Sequence, residues 1–436
     1  MKLSYYLLET ILEDRELLLI STRTGTYLVL NQELADNFFY FKTTMNENDL
    51  NVELKEALIE FEMLIDDKKN EYQLILDVHT NERKKGGKIL DLILATTLSC
   101  NLRCGYCFEQ NKQAINLTSE DEDKIFQFVT SRLKDVEDGM EVSWFGGEPL
   151  LGIKSIERLS KRFIKLCTFQ GKLYGAFIVT NGVLLNHENA KILKDSLVSS
   201  VQITIDGDRD THNKMRPAPN NKGSYDDVIN GILIAKEYFN VTIRINLNRN
   251  NIDSIPSLLH ELAALELFDI AINFSVIFAD DYSSPDKSFL THEEFAIEEV
   301  KFSKLASSLG FNISAGLESV ESKVSCKALN PNHYIFEPRG YVHKCVSYLG
   351  DNSKAVGKIE ENSFSPLKPI KIWKNYDIFT LHQPDNEDDC LTCKYLPLCY
   401  GGCPKNRMAG YDKRKYICIP SRFNLIDMVK LEIGVS

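Results

Sequence analysis

Between Ile89 and Val276 the chain alternates short apolar runs with longer amphipathic stretches. The runs Ile89–Thr96, Glu141–Phe145, Gly175–Thr180, Val201–Asp206, Val241–Asn246 and Ile270–Val276 have strand length. Between most of them lie segments with apolar residues at helical spacing, such as Ser119–Lys134, Ile153–Thr168 and Tyr225–Phe239. Alternation of this kind predicts parallel strands joined by crossover helices, here six βα units. In βα barrels the functional groups gather at the C-terminal ends of the strands.

The flanks read differently. Glu16–Ile20, a turn at Thr22–Gly25 and Thr26–Leu30 predict a β-hairpin. Helical stretches are expected around Glu33–Phe41 and over Val52–Asp66, and the polar run Asn81–Lys88 reads as a linker. A hairpin with two helices in so short a unit looks like a winged helix. After about residue 310 the periodicity fades and cysteines take over. The expected division is therefore 1–82, 83–309 and 310–436.

Length and composition narrow the class. A chain of 436 residues has room for two or three domains. Its net charge of −11, with no Lys/Arg block, argues against nucleic acid as a partner. Glu9, Glu13, Asp14 and Glu16 interrupt the first apolar stretch, so no secretion signal forms, and no run is long enough to span a bilayer. A cytoplasmic location without membrane contact is expected. Eleven cysteines in a reducing compartment point to metal or redox chemistry in place of disulfides.

Cys100, Cys104 and Cys107 follow the first barrel strand as C-x3-C-x2-C. Four thiolates normally hold a four-iron cluster, so three leave one iron open to a small molecule. Zinc is the alternative, but zinc wants a fourth ligand close by, and none follows. The run resembles the signature of the radical S-adenosylmethionine (SAM) superfamily. That resemblance implies a partial (β/α)6 TIM-type barrel and a [4Fe-4S] cluster whose open iron chelates SAM. It further implies reductive cleavage of SAM to a 5′-deoxyadenosyl radical, with electrons from an external donor such as flavodoxin or ferredoxin. Tyr106 matches the family's aromatic position near the adenine.

Further motifs extend the match. Gly146-Gly147-Glu148-Pro149 ends the second strand and resembles the family's GGEP segment, which meets the SAM amino group. Two glycines let backbone approach a ligand, and Glu148 offers an acceptor for an ammonium. Thr180-Asn181-Gly182 and Thr204-Ile205-Asp206-Gly207 resemble the TNG and S-x-D-G segments, with Thr204 placed for the ribose. Arg216 matches an arginine that meets the SAM carboxylate, with a surface ion pair as the alternative. Arg244 and Asn246 sit on the fifth strand and can face the same site.

The last third holds Cys326, Cys345, Cys390, Cys393, Cys399, Cys403 and Cys418. The order, with Leu396–Pro404 at its centre, resembles the cysteine-rich SPASM domain of peptide-modifying radical SAM enzymes; paired zinc knuckles are the alternative. The resemblance implies two auxiliary [4Fe-4S] clusters. Cys390, Cys393, Cys399 and Cys418 correspond to the outer one, and Cys326, Cys345 and Cys403 to the one nearer the barrel. The missing fourth ligand of the latter can be His343, a small molecule or a substrate cysteine. Cys167, in an amphipathic helix, reads as a buried free thiol.

These resemblances imply a maturase that modifies a ribosomal precursor peptide, binding its leader on the N-terminal unit as an added strand. A structural cap is the alternative role for that unit. The expected product is a thioether or a carbon–carbon cross-link, the three-cysteine cluster favouring the thioether. An anaerobic sulfatase maturase is the competing enzyme; those generally start close to the cysteine motif and carry eight SPASM cysteines. A non-catalytic electron carrier or peptide-binding scaffold is the competing class, and it has no need of the GGEP-like segment. No residue is singled out as catalytic.

Overall fold

The computed structural model describes residues 1–85, 87–109, 114–277, 288–317, 326–360, 363–366 and 390–435. It falls into two compact units: Met1–Lys84 with Ile313–Cys326 and Tyr376–Ser436, and Lys85–Asn312 with Lys327–Asn375. The described residues after 312 are divided between the two units.

The first unit begins with β1 (Lys2–Leu3), β2 (Leu7–Ile11), β3 (Leu17–Ser21) and β4 (Thr26–Leu30), and β5 (Leu64–Ile65) pairs back on β1. The expected hairpin is β3–β4, with Leu17 opposite Leu30 and Ser21 opposite Thr26. A third strand, β2, lies antiparallel on the other side of β3.

Every residue of β3 is buried, and strand alternation explains how. Leu17 and Leu19 face a core with Phe38, Phe41, Leu54 and Leu58. Leu18 and Ile20 face a second core with Leu398, Leu425 and Val429.

Two expectations are corrected here. The helix expected over Val52–Asp66 spans Val52–Glu60, Glu62 reverses the chain at φ 52°, and Leu64–Ile65 becomes a strand. Met63, Leu64 and Ile65 are all buried, which three consecutive helical residues on one apolar stripe cannot be. The polar run from Asn81 is not a linker from its start, because a helix runs Glu71–Lys85.

The second unit carries β6 (Ile89–Ala95), β7 (Gly139–Phe145), β8 (Leu173–Thr180), β9 (Val198–Thr204), β10 (Asn240–Leu247) and β11 (Ala271–Val276). All are parallel and neighbour one another in chain order. Helices Ser119–Arg132, Ile153–Gln170, His187–Asp195, Tyr225–Lys236 and Ile255–Ala264 cross between them. This is the partial (β/α)6 barrel.

The sheet then continues past its first strand. β12 (His333–Phe336) pairs parallel with β6, and β13 (Tyr341–His343), β14 (Gly357–Glu360) and β15 (Ser363–Pro366) add on antiparallel, giving ten strands. Among the described residues no helix is long and apolar enough to cross a membrane.

Candidate active site

Beyond β6 the chain enters the cysteine loop. Thr97 anchors its start, donating from its hydroxyl to the Ile115 carbonyl at 2.9 Å and bridging to Asn116. Cys100, Cys104 and Cys107 are half-buried thiols. All three line one cavity of about 360 Å³, within the range of small-molecule sites. Its wall comes from the C-terminal ends of the barrel strands: Phe145–Glu148, Val179–Asn181, Gln202, Thr204, Arg244, Asn246 and Val276. Donors already turn toward sulfur, with the Leu102 amide 3.4 Å and the Asn181 side-chain amide 3.8 Å from Cys100 Sγ. Three thiols around a roomy cavity with one polar wall suit an iron–sulfur cluster with an open position.

The Gly-Gly-Glu-Pro segment lies against the cysteine loop. A Cβ on Gly146 would come within 2.3 Å of the Thr97 carbonyl, and one on Gly147 within 2.3 Å of the Ser99 carbonyl. The amides of Gly147 and Glu148 donate to those same two carbonyls at 3.0 and 2.9 Å. Backbone packed against backbone therefore already requires both glycines, which also line the cavity. Glu148 is fully buried; it accepts the Thr180 hydroxyl at 2.6 Å, the Asn181 amide at 2.8 Å and the Leu150 amide at 3.0 Å. Burial lifts its carboxyl above the usual range, while these donors pull the other way. Pro149 is buried, and its carbonyl accepts the Thr96 hydroxyl at 3.1 Å.

Tyr106 donates to Asp206 and accepts from Arg216. Arg216 Nη1 also lies 3.2 Å from Asp206 Oδ2, and Asn246 donates to Asp206 Oδ1 through its amide at 2.9 Å and its side chain at 3.1 Å. Burial holds the Tyr106 phenol well above its usual value, so it stays protonated. Thr204 ends β9 beside this network, on the cavity wall. Asp206, Asn181 and Gln202 were given no role from sequence; Asp206 and Asn181 sit inside the quoted motifs. Val346 and Ser347, next to Cys345, also line the cavity, although no sequence signal placed them near the barrel.

The second cysteine set is partly gathered. Cys390, Cys393, Cys399 and Cys418 line one small cavity with Arg407 and Arg422. Arg407 Nη2 lies 3.3 Å from Cys390 Sγ, Arg422 Nη1 3.4 Å from Cys418 Sγ, and the Gly401 amide 3.4 Å from Cys399 Sγ. Burial pushes the Cys399 thiol up to about 12. Four thiols with cationic and amide donors suit a metal centre that takes thiolates. Cys326 and Cys403 belong to this unit, and Cys345 to the barrel unit. His343 is fully buried, its Nε2 3.3 Å from Glu337 Oε2. Cys167 is a buried free thiol, pushed by burial up to about 11.

Residues 94–262 match the radical SAM superfamily. The chain thus carries a radical SAM domain over those residues, of a class that works with a [4Fe-4S] cluster and SAM. A cysteine-type anaerobic sulfatase-maturating enzyme of Clostridium novyi is 26% identical over 335 residues, covering 72% of this chain and 88% of the relative. Among solved structures, anSMEcpe with bound AdoMet superposes with a TM-score of 0.59 at 16% identity, covering 79% of this chain and 97% of that one. SuiB of Streptococcus suis gives 0.51 at 16% identity, covering 96% and 99%. Both have also been solved with peptides, Cp18Cys (0.57) and the precursor SuiA (0.50) respectively.

Proposed function

We propose that this protein is a SPASM-type maturase that cross-links a ribosomally made precursor peptide, with a thioether as the favoured bond. Cys100, Cys104 and Cys107 hold the SAM cluster; Tyr106, Gly146–Pro149, Thr204 and Arg216 build the wall around it. When bound, cluster and SAM supply a 5′-deoxyadenosyl radical for hydrogen abstraction. The chain's own part is to keep that cavity aligned: Glu148 ties the ends of β7 and β8, and Asp206 ties the cysteine loop to β9 and β10.

The observation that carries the peptide reading is the N-terminal three-stranded sheet. The likeness to SuiB extends over 96% of the chain, against 79% for anSMEcpe. An edge strand of such a sheet offers free backbone groups to an extended leader. Cys390, Cys393, Cys399 and Cys418 would hold an outer cluster. A sulfatase maturase is the second reading, favoured by the Clostridium novyi relative.

Anaerobic co-expression with a short peptide encoded beside the gene, followed by mass spectrometry, separates the two. Loss of two hydrogens per link supports cross-linking; an aldehyde in a sulfatase-type motif supports the second reading. Cys104→Ala should abolish SAM cleavage, and persistent cleavage would refute the cluster assignment.

A further inference from the structure

Two of the groups that meet sulfur in the cavity of Cys390, Cys393, Cys399 and Cys418 carry a full positive charge. Arg407 Nη2 lies 3.3 Å from Cys390 Sγ and Arg422 Nη1 3.4 Å from Cys418 Sγ, and both side chains line that cavity. At the barrel site the Leu102 amide and the Asn181 side-chain amide meet Cys100 Sγ, and both are neutral. Arg216 donates to Tyr106 in that loop, but its charge faces Asp206 at 3.2 Å.

Each arginine at the outer site is placed by the local fold. Arg407 donates from Nε and Nη2 to the Gly401 carbonyl at 3.2 and 2.6 Å. The Gly401 amide donates to Cys399 Sγ at 3.4 Å. Gly401 thus serves the site twice: its N–H meets one thiol, and its carbonyl seats the cation that meets another. A φ of 88° at this glycine permits the turn. Arg422 stands in the first turn of the helix Ser421–Glu432 and reaches back to Cys418.

A four-iron cluster gains one negative charge when it takes one electron. Cations on its ligand sulfurs stabilise the more negative form and so raise the reduction potential. Charged hydrogen bonds do this more strongly than neutral ones. We infer that Arg407 and Arg422 lift the outer cluster above the barrel cluster in potential, so that a single electron supplied to the loaded protein rests at the outer cluster. This inference rests on reading both cysteine sets as cluster sites.

The test is a stepwise titration of the anaerobically reconstituted full chain, without SAM, with dithionite and redox mediators. Electron paramagnetic resonance follows each reduced cluster, and iron content is measured alongside. The signal missing from Cys393→Ala marks the outer cluster, and the one missing from Cys104→Ala the barrel cluster. In the parent the outer signal should appear first. Arg407→Gln and Arg422→Gln should each shift the outer reduction equilibrium about 10-fold toward the oxidised form, the low end for a charged hydrogen bond. For one electron that is a fall of about 59 mV. The barrel midpoint should stay where it is, and Arg422→Lys should recover part of the shift.

An outer midpoint at or below the barrel midpoint in the parent overturns the inference. So does an unchanged outer midpoint in either glutamine variant that keeps its iron, or an equal shift at both clusters. Loss of the outer iron from both variants assigns the arginines to cluster retention and overturns it as well. Should Cys393→Ala keep the iron and the signals of the parent, the reading of these four thiols as a cluster site fails, which is a separate result.

Discussion

The Glu148 carboxylate accepts the Thr180 hydroxyl at 2.6 Å across 32 residues of sequence, joining the ends of β7 and β8 behind the cavity. Thr180→Val removes that donor and leaves a fully buried carboxylate with one fewer partner. The expected cost is about 1–3 kcal/mol, read as a lower urea midpoint of the cluster-free protein. An unchanged midpoint would show that the contact does not support the fold.

Gly146→Ala and Gly147→Ala place a methyl on the Thr97 and Ser99 carbonyls. Backbone cannot yield as a flexible side chain does, so the cysteine loop must shift. Both variants should lose iron at the site of Cys100, Cys104 and Cys107 while keeping the far-ultraviolet dichroism of the parent. Full iron content in either variant would refute the packing argument.

Leu18 is fully buried in the core that includes Leu398, which directly precedes Cys399. Thr22 and Lys394 extend the same contact, the hydroxyl donating to the Lys394 carbonyl at 2.5 Å and Lys394 Nζ to the Leu7 carbonyl at 2.9 Å. Leu18→Ala should cost about 2–5 kcal/mol and reduce reconstituted iron by about four of about twelve atoms per chain. Retention of all the iron would mean that the sheet and the cysteine cavity are energetically independent.

His212 is buried between Asp206 and Ser224, with Nδ1 accepting the Asp206 amide at 3.2 Å and Nε2 3.1 Å from the Ser224 hydroxyl. Burial, with Arg216 adding to it, pushes the imidazole down to about 3. In the unfolded chain it titrates near about 6.5. The unfolded state therefore binds the extra proton first, and stability is complete above that value. It should fall as pH drops from about 6.5 toward 3, by up to about 1.4 kcal/mol per pH unit. Denaturant unfolding of the parent and His212→Gln across that window checks this, since the variant should show a flatter profile.

The barrel was legible because each strand is a compact apolar run between amphipathic stretches, and all six expected strands appear. The cysteine loop and the Gly-Gly-Glu-Pro segment were found from local spacing. What spacing could not show was the use of each group. Glu148 faces protein donors, and Asp206 connects positions 106, 216 and 246, which no local pattern joins. β12 was missed because it is short and owes its form to pairing with the distant β6, and β2, which pairs with the neighbouring β3, because Glu9 breaks its apolar run. The helix over Glu71–Lys85 was hidden by its polar second half, where charge reads as loop.

β3 belongs to two cores at once, and this bears on how such a domain can be inherited or engineered. A segment cut at residue 82 would carry Leu8, Leu18 and Ile20 away from Leu398, Leu425 and Val429, leaving apolar side chains on both cut faces. Moving the sheet onto another enzyme would then require residues 390–435 to travel with it. Two stretches at opposite ends of the chain form one heritable part.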